Sequence, residues 1–160
     1  MSSLPFFDIL KFNLGNPAEY GFSKTFFLDS VHAKVRFAKD ESEALAFRNK
    51  KVLVKVENYP TSMELIRGFE KKEAVLLLDL SDIVNSKGGK RATFIRRIKK
   101  FALICKKYKV PFGMASFSSS EDGMRTEPEL EHIGFLIGLE RGDSRKALTR
   151  LSEYLSPLKQ

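Results

Sequence analysis

Six short apolar runs punctuate the chain, and the stretches between them place apolar residues at helical rather than alternating spacing. FFDILKF (Phe6 to Phe12), KTFFLDS (Lys24 to Ser30), KVRFAK (Lys34 to Lys39), KVLVKV (Lys51 to Val56), AVLLLDL (Ala74 to Leu80) and PFGMASF (Pro111 to Phe117) read as strands. AVLLLDL is almost wholly apolar, as expected of a strand covered on both faces in a parallel sheet. KVLVKV alternates and is expected to be half exposed. Between the strands, Asp40 is positioned to cap a short helix running to about Asn49. Thr61 and Glu64 are spaced as a capping box for a helix to about Lys72. A long helix is expected from about Gly89 to Lys109, where Val110-Pro111 stops it. Thr126 and Glu129 form a second capping box, with Pro128 in the first turn and Gly138 as the left-handed terminator. Asp143 or Ser144 is expected to cap a last helix that reaches Leu155, before Pro157. Strands separated by helices predict right-handed βαβ units and a parallel sheet, open or curled towards a barrel. Six strands are too few for a complete eight-stranded βα barrel.

Charge changes this picture most in one place. No carboxylate occurs between Asp82 and Glu121. That interval of 38 residues contains ten bases: Lys87, Lys90, Arg91, Arg96, Arg97, Lys99, Lys100, Lys106, Lys107 and Lys109. The whole chain is +8, so the remainder carries −2. A solubilising face would mix both signs; a single-signed run is the footprint of a surface that meets phosphates and releases their condensed counterions. On a helical wheel, Phe94, Ile98, Phe101, Cys105 and Tyr108 form an apolar stripe. Arg96, Arg97, Lys99, Lys100, Lys106 and Lys107 cover the opposite face, with Leu103 in their midst. SKGGKR (Ser86 to Arg91) leads into the helix. It lacks the first glycine and the final Ser/Thr of a Walker A loop. A simple turn is the plain reading of its glycines, beside a phosphate contact by Lys87, Lys90 or Arg91.

Composition bounds the function further. At 160 residues, 42% apolar and 30% charged, the chain reads as one folded domain spanning 1–160. No apolar run approaches a membrane helix, and MSSLPFFDIL lacks a secretory pattern, so no membrane role and an intracellular location are expected, cytoplasmic, or nuclear or nucleolar in a eukaryote. One cysteine and two histidines supply neither a disulfide nor a zinc site, and no cofactor is implied. Cys105, on the apolar stripe, is expected to be a buried thiol. His132 is expected at the surface or in a capping role.

Other polar residues have competing readings. Ser116, Ser118, Ser119 and Ser120 follow the last strand and make either loop hydrogen bonds or contacts to phosphate. Arg125 either clamps a phosphate or ties its loop to Glu121 or Asp122. Lys55 and Asp79 lie in strands. They define an alternative function, a small barrel enzyme acting on a carbonyl or phosphorylated substrate, with Lys55 as a Schiff-base lysine of depressed pKa. A strand edge and a helix cap are their plainer roles.

From Ala74 onward, the order of elements resembles a known family. An apolar strand (Ala74 to Leu80) is followed by a Gly/Arg loop (Gly88 to Arg91) and a long helix. KYKVP (Lys107 to Pro111), a strand ending in Ser116, a loop with Arg125 before Pro128, and LIGL (Leu136 to Leu139) come next. Over about residues 74–155 this is similar to the C-terminal half of RNase P protein component 3, the barrel-like protein subunit of archaeal and eukaryotic ribonuclease P. FFDILKF and GFSKTFFL (Gly21 to Leu28) match the opening strands of that family more weakly. The chain is shorter than family members by a βα unit or more before Leu80. The resemblance implies an α/β fold of parallel βα repeats forming a reduced or incomplete TIM-barrel-like structure. That fold is related to metal-dependent phosphoesterases of the polymerase-and-histidinol-phosphatase type. Their His-x-His pair is replaced here by Asp8-Ile9-Leu10-Lys11, and too few other ligands remain for a hydrolytic metal site. The resemblance further implies a non-catalytic subunit that binds RNase P RNA and precursor tRNA and pairs with the ferredoxin-like RNase P protein component 2. The residues expected to contact RNA are Lys87, Lys90, Arg91, Arg96, Arg97, Lys99, Lys100, Lys106, Lys107 and Arg125. Leu103, Phe135, Ile137, Leu148 and Leu151 are candidates for the protein contact.

Overall fold

All six apolar runs form strands, and every pairing among them is parallel. The computed structural model describes residues 6–155. Pro157, the expected stop of the last helix, lies outside them, as do residues 1–5 of the opening segment. In chain order the strands are β1 (Phe7–Leu10), β2 (Lys24–Phe27), β3 (Val35–Ala38), β4 (Leu53–Val56), β5 (Val75–Asp79) and β6 (Phe112–Ala115). The helices are α1 (Leu28–Val31), α2 (Glu41–Ala46), α3 (Met63–Gly68), α4 (Ser81–Val84), α5 (Gly88–Lys107), α6 (Glu127–Leu136) and α7 (Arg141–Leu155).

β3, β4, β5 and β6 form one sheet and β1 and β2 another. A bridge joins the two. The Phe117 amide donates to the Ile9 carbonyl at 2.9 Å, and the Lys11 amide to the Ser118 carbonyl at 2.8 Å. The spatial order is therefore β3-β4-β5-β6-β1-β2. Among the described residues β2 and β3 do not pair with each other, so the curl stops short of closure. This is a parallel βα fold compatible with a reduced barrel.

Side chains alternate across the strands and build two cores. Ile9, Val35, Leu53, Val75, Leu77 and Ala115 gather on one face with Phe117 and with Leu151 and Leu155 of α7. Leu10, Val54, Leu76, Leu78 and Met114 point the other way. They pack under Leu65 and Ile66 of α3 and under Ile98, Phe101 and Cys105 of α5. β4 is buried apart from a half-buried Lys55, which corrects the expected half exposure: both of its faces are covered. The first core is tight. A Cβ at Gly113 would sit 3.3 Å from Leu151 and 3.4 Å from Leu53 and Leu77, so the curl is filled by side chains. α7 crosses the N-terminal ends of the strands, where Arg150 donates to the Phe112 carbonyl and Lys51 lies 5.8 Å from the centre of the Tyr154 ring.

Local signals set most helix starts. Asp40 caps α2 through the Glu43 amide. Thr126 and Glu129 complete the expected capping box of α6, and Gly138 follows that helix at φ +81°. Two starts differ from expectation. Ser62, not Thr61, caps α3, because its hydroxyl accepts from the Leu65 amide at 3.2 Å. α7 begins before Asp143. That carboxylate reaches back to the Glu140 amide at 3.0 Å, while Ser144 is buried inside the helix.

Candidate nucleic-acid interface

α5 spans 20 residues, about 30 Å of helix. Ile98, Phe101, Ala102 and Cys105 are buried along it. Burial pushes the Cys105 thiol up to about 12, so it packs as an apolar group rather than reacting. The helix ends in a Schellman turn. Lys109 takes φ +56°, and the Val110 amide donates to the Cys105 carbonyl at 2.8 Å. That turn returns the chain to β6 and fixes which face of α5 is left outside.

The outer face is cationic. Lys87, Lys90, Arg96, Lys99, Lys100 and Lys107 are exposed, and among the described residues none of them is in an ion pair. Arg97 is exposed and donates to the Asn58 side chain at 3.1 Å, a neutral contact that leaves its charge uncompensated. Arg91 is also exposed but partly engaged. Its Nε and one terminal nitrogen donate to the Ile83 and Val84 carbonyls at 3.0 and 3.1 Å, satisfying the last turn of α4. Lys106 differs from the others. It meets Asp143 at 2.7 Å, which ties α5 to α7. Leu103, 43% exposed, stands within the strip as the wheel indicated.

Arg125 lies near this surface, in the loop before α6. It pairs at 3.9 Å with Glu129 rather than with Glu121 or Asp122, because α6 brings its first turn back over the loop. Arg91 and Arg125 line one groove with Ile83, Val84, Glu129, His132, Ile133 and Leu136. His132 is exposed, with its ring 6.4 Å from that of Phe135. Of the suggested contact residues on the last two helices, Phe135 is exposed. Ile137, Leu148 and Leu151 are in the core, where α6 and α7 cover them.

The alternative enzyme site is already occupied. Lys55 Nζ lies 3.0 Å from Asp79 and 2.9 Å from Asp82. The Tyr59 hydroxyl donates to Asp82 at 3.0 Å. Burial acts to lower the Lys55 pKa, but Asp79 and Asp82 outweigh it and hold the ammonium above its ordinary value. A Schiff-base lysine needs the opposite shift. Nor is Asp79 at an exposed edge: it is 3% exposed, and its other oxygen accepts from the Ser81 amide and hydroxyl at the start of α4. The cluster therefore fastens β4, β5 and α4 together.

Asp8 is a second buried carboxyl, to which the sequence pattern gives no cue. Asp8 on β1 accepts from the Ser116 amide at 2.7 Å and lies 2.6 Å from the Ser116 hydroxyl. The Ser118 hydroxyl donates to the Gly123 carbonyl, so the serine-rich segment makes loop hydrogen bonds. Asp8 spans the seam where β6 meets β1. Burial, only partly offset by those hydrogen bonds, raises its pKa to about 7. Because the folded value lies above the ordinary 3.8, the protonated form favours folding. Asp8 therefore contributes most stability below about pH 4 and loses it as pH rises through 7. Asp8→Asn keeps an acceptor for the Ser116 amide and a donor for its hydroxyl. The variant should match the native protein near pH 4 and exceed it in stability above pH 7, by on the order of 4 kcal/mol from three units at 1.36 each. Urea melts across that range check this, and a difference that does not change with pH would refute it.

Among the described residues, no three His, Cys, Asp or Glu side chains converge to hold a metal ion. No described helix is long and apolar enough to cross a membrane. The architecture thus defines a class: a curled, unclosed parallel βα protein with its interior filled, its central polar groups paired, and one outer helix that carries cations and no carboxylate. Comparison with known proteins narrows that class. Over 85 residues the chain is 26% identical to Ribonuclease P protein component 3 of Methanococcoides burtonii, covering 53% of this chain. It spans about a third (35%) of that relative's length. Its fold matches a chain of an archaeal ribonuclease P solved by cryo-EM with mature tRNA. The TM-score is 0.68 at 11% identity, over 93% of this chain and 79% of the other. The structure of A. niger ochratoxinase is a more distant fold neighbour, with a TM-score of 0.51 at 13% identity, over 89% of this chain and 35% of that one. No family model matches the chain. Sequence and fold together support the resemblance to the RNase P protein component 3 family.

Proposed function

We propose that this protein is a non-catalytic, RNA-binding subunit of ribonuclease P that supports the catalytic RNA in removing the 5′ leader of precursor tRNA. The observation that carries this reading is the outer face of α5, where Arg96, Arg97, Lys99, Lys100 and Lys107 lie exposed with no carboxylate on the same helix. Charge of one sign on a rigid rod neutralises phosphates without itself needing to move. Lys87, Lys90 and Arg91 extend the surface at the helix start, and Arg125 adds to it from the adjoining loop. Lys106 takes part only if the RNA displaces Asp143. The similarity to component 3 and to a chain of an archaeal ribonuclease P–tRNA complex supports RNase P RNA and tRNA as the associated nucleic acids. A ferredoxin-like component 2 is the proposed protein partner, and the cytoplasm the proposed compartment.

The test is affinity purification of the full chain from its native source. The expected result is co-purification of a structured RNA and a small ferredoxin-like protein, in material that cleaves precursor tRNA at the 5′ leader. Recovery of the chain without RNA, or of RNA with no such cleavage, would overturn the proposal.

A further inference from the structure

The groove between the first half of α5 and α6 is not explained by phosphate neutralisation alone. Its volume is about 420 Å³. Two of its lining groups are guanidinium-bearing, Arg91 and Arg125, and its walls are Ile83, Val84, Ile133 and Leu136. Glu129 is the one carboxylate among the lining residues, and its charge is engaged locally. It accepts from the Thr126 amide at 2.9 Å and faces Arg125. Arg91 is pinned by the Ile83 and Val84 carbonyls, so its orientation is set before anything binds. Leu136 is 56% exposed, and Phe135, beside His132, is 57% exposed. Two residues beyond Leu136, the methylene stem of Lys99 lies over Gly138, which places a cation of the α5 strip beside the end of α6.

Resting on the reading of α5 as an RNA surface, we propose that this groove holds one unpaired nucleotide of the bound RNA. Its base lies against His132, Ile133 and Leu136, and its phosphate sits between Arg91 and Arg125. A purely electrostatic surface needs no apolar floor, because phosphates in a duplex meet only the rim. Unpaired bases do need one: they bury their faces on apolar and aromatic side chains while arginines hold the backbone. An acidic protein surface would be drawn to the same cations, so the test separates it from RNA.

The experiment compares a short fluorescein-labelled oligouridylate with a blunt RNA duplex of the same length. Both are titrated with the full chain by anisotropy at several salt concentrations. The double variant His132→Ala, Leu136→Ala changes only exposed side chains. It should lose at least fivefold in affinity for the single strand, with duplex affinity and both salt slopes unchanged. Equal losses on both probes, or none on the single strand, would overturn the nucleotide site. So would intact RNA binding together with loss of a co-purifying protein, which would assign the groove to a protein contact. A second variant, Arg96→Gln, Arg97→Gln, Lys100→Gln, tests the reading beneath it. If the salt slopes on both probes stay unchanged while the groove variant still loses single-strand affinity, the α5 surface fails and the groove survives.

Discussion

Replacing Arg96, Arg97 and Lys100 together with glutamine lowers RNA affinity by several hundredfold at about 0.1 M salt. Each phosphate contact contributes about 0.9 to the slope of log affinity against log salt, so losing three lowers the slope by about 2.7. At about 0.1 M salt that slope change corresponds to about 2.7 decades in affinity. The three side chains are exposed, and none touches the core, so the fold and its melting temperature should be unaffected. Filter binding to RNase P RNA across a salt series reads both quantities. Lys106→Gln is the internal contrast. Its ammonium already faces Asp143 at 2.7 Å, so its removal should change the slope by well under one contact. An unchanged slope in the triple variant would remove α5 from the interface.

Lys55→Met destabilises the fold by about 3–5 kcal/mol, the largest loss expected from any single charged residue here. The reason is geometric. Asp79 is 3% exposed and Asp82 is close by, and both carboxylates meet the same ammonium at 3.0 and 2.9 Å. Methionine fills the volume of the lysine stem but leaves two like charges facing each other with no cation between them. Chemical denaturation measures the loss, and a change below about 1 kcal/mol, the range of a solvent-exposed pair, would contradict a structural role. Borohydride added with an aldehyde substrate should trap nothing at Lys55 in the native protein, because the ammonium is held charged. The same cluster shows why a lysine and an aspartate at strand C-terminal ends need not signal catalysis. Here they complete each other's hydrogen bonding and join two strands to the following helix.

The two sites differ in how far they could be read from the chain. The outer face of α5 was legible apart from Lys106, which pairs with Asp143, and Arg91, which is held by the end of α4. Helical neighbours lie three and four positions apart, so the sequence order of Phe94, Ile98, Phe101 and Cys105 already separates an inner face from an outer one. The groove was not legible. Arg91 and Arg125 are 34 positions apart in the numbering, and only the packing of α6 beside the start of α5 brings them to one opening. The sequence places His132 at the surface, but not beside Phe135 or in that groove. The paired charges of Lys55 and Asp79 could have been suspected, since opposite signs at the ends of two consecutive parallel strands lie side by side. Asp82, which completes the cluster, gave no such cue because it lies on the short helix α4, which the periodicity did not reveal.

Most of what neighbouring positions carry was settled before folding is considered: six strands, the long cationic helix, the capping box at Thr126 and the turn at Gly138, though not the starts of α3 and α7 or the short α4. These depend on backbone geometry and short-range contacts, which repeat with known periods. The joins were settled only in three dimensions. Asp8 meets Ser116 across 108 positions, β1 is bridged to the end of β6, and β2 and β3 are left unpaired. Such contacts reflect which surfaces remain to be covered once the local elements exist. That depends on the volume and shape of the whole assembled core, which no local stretch of sequence encodes.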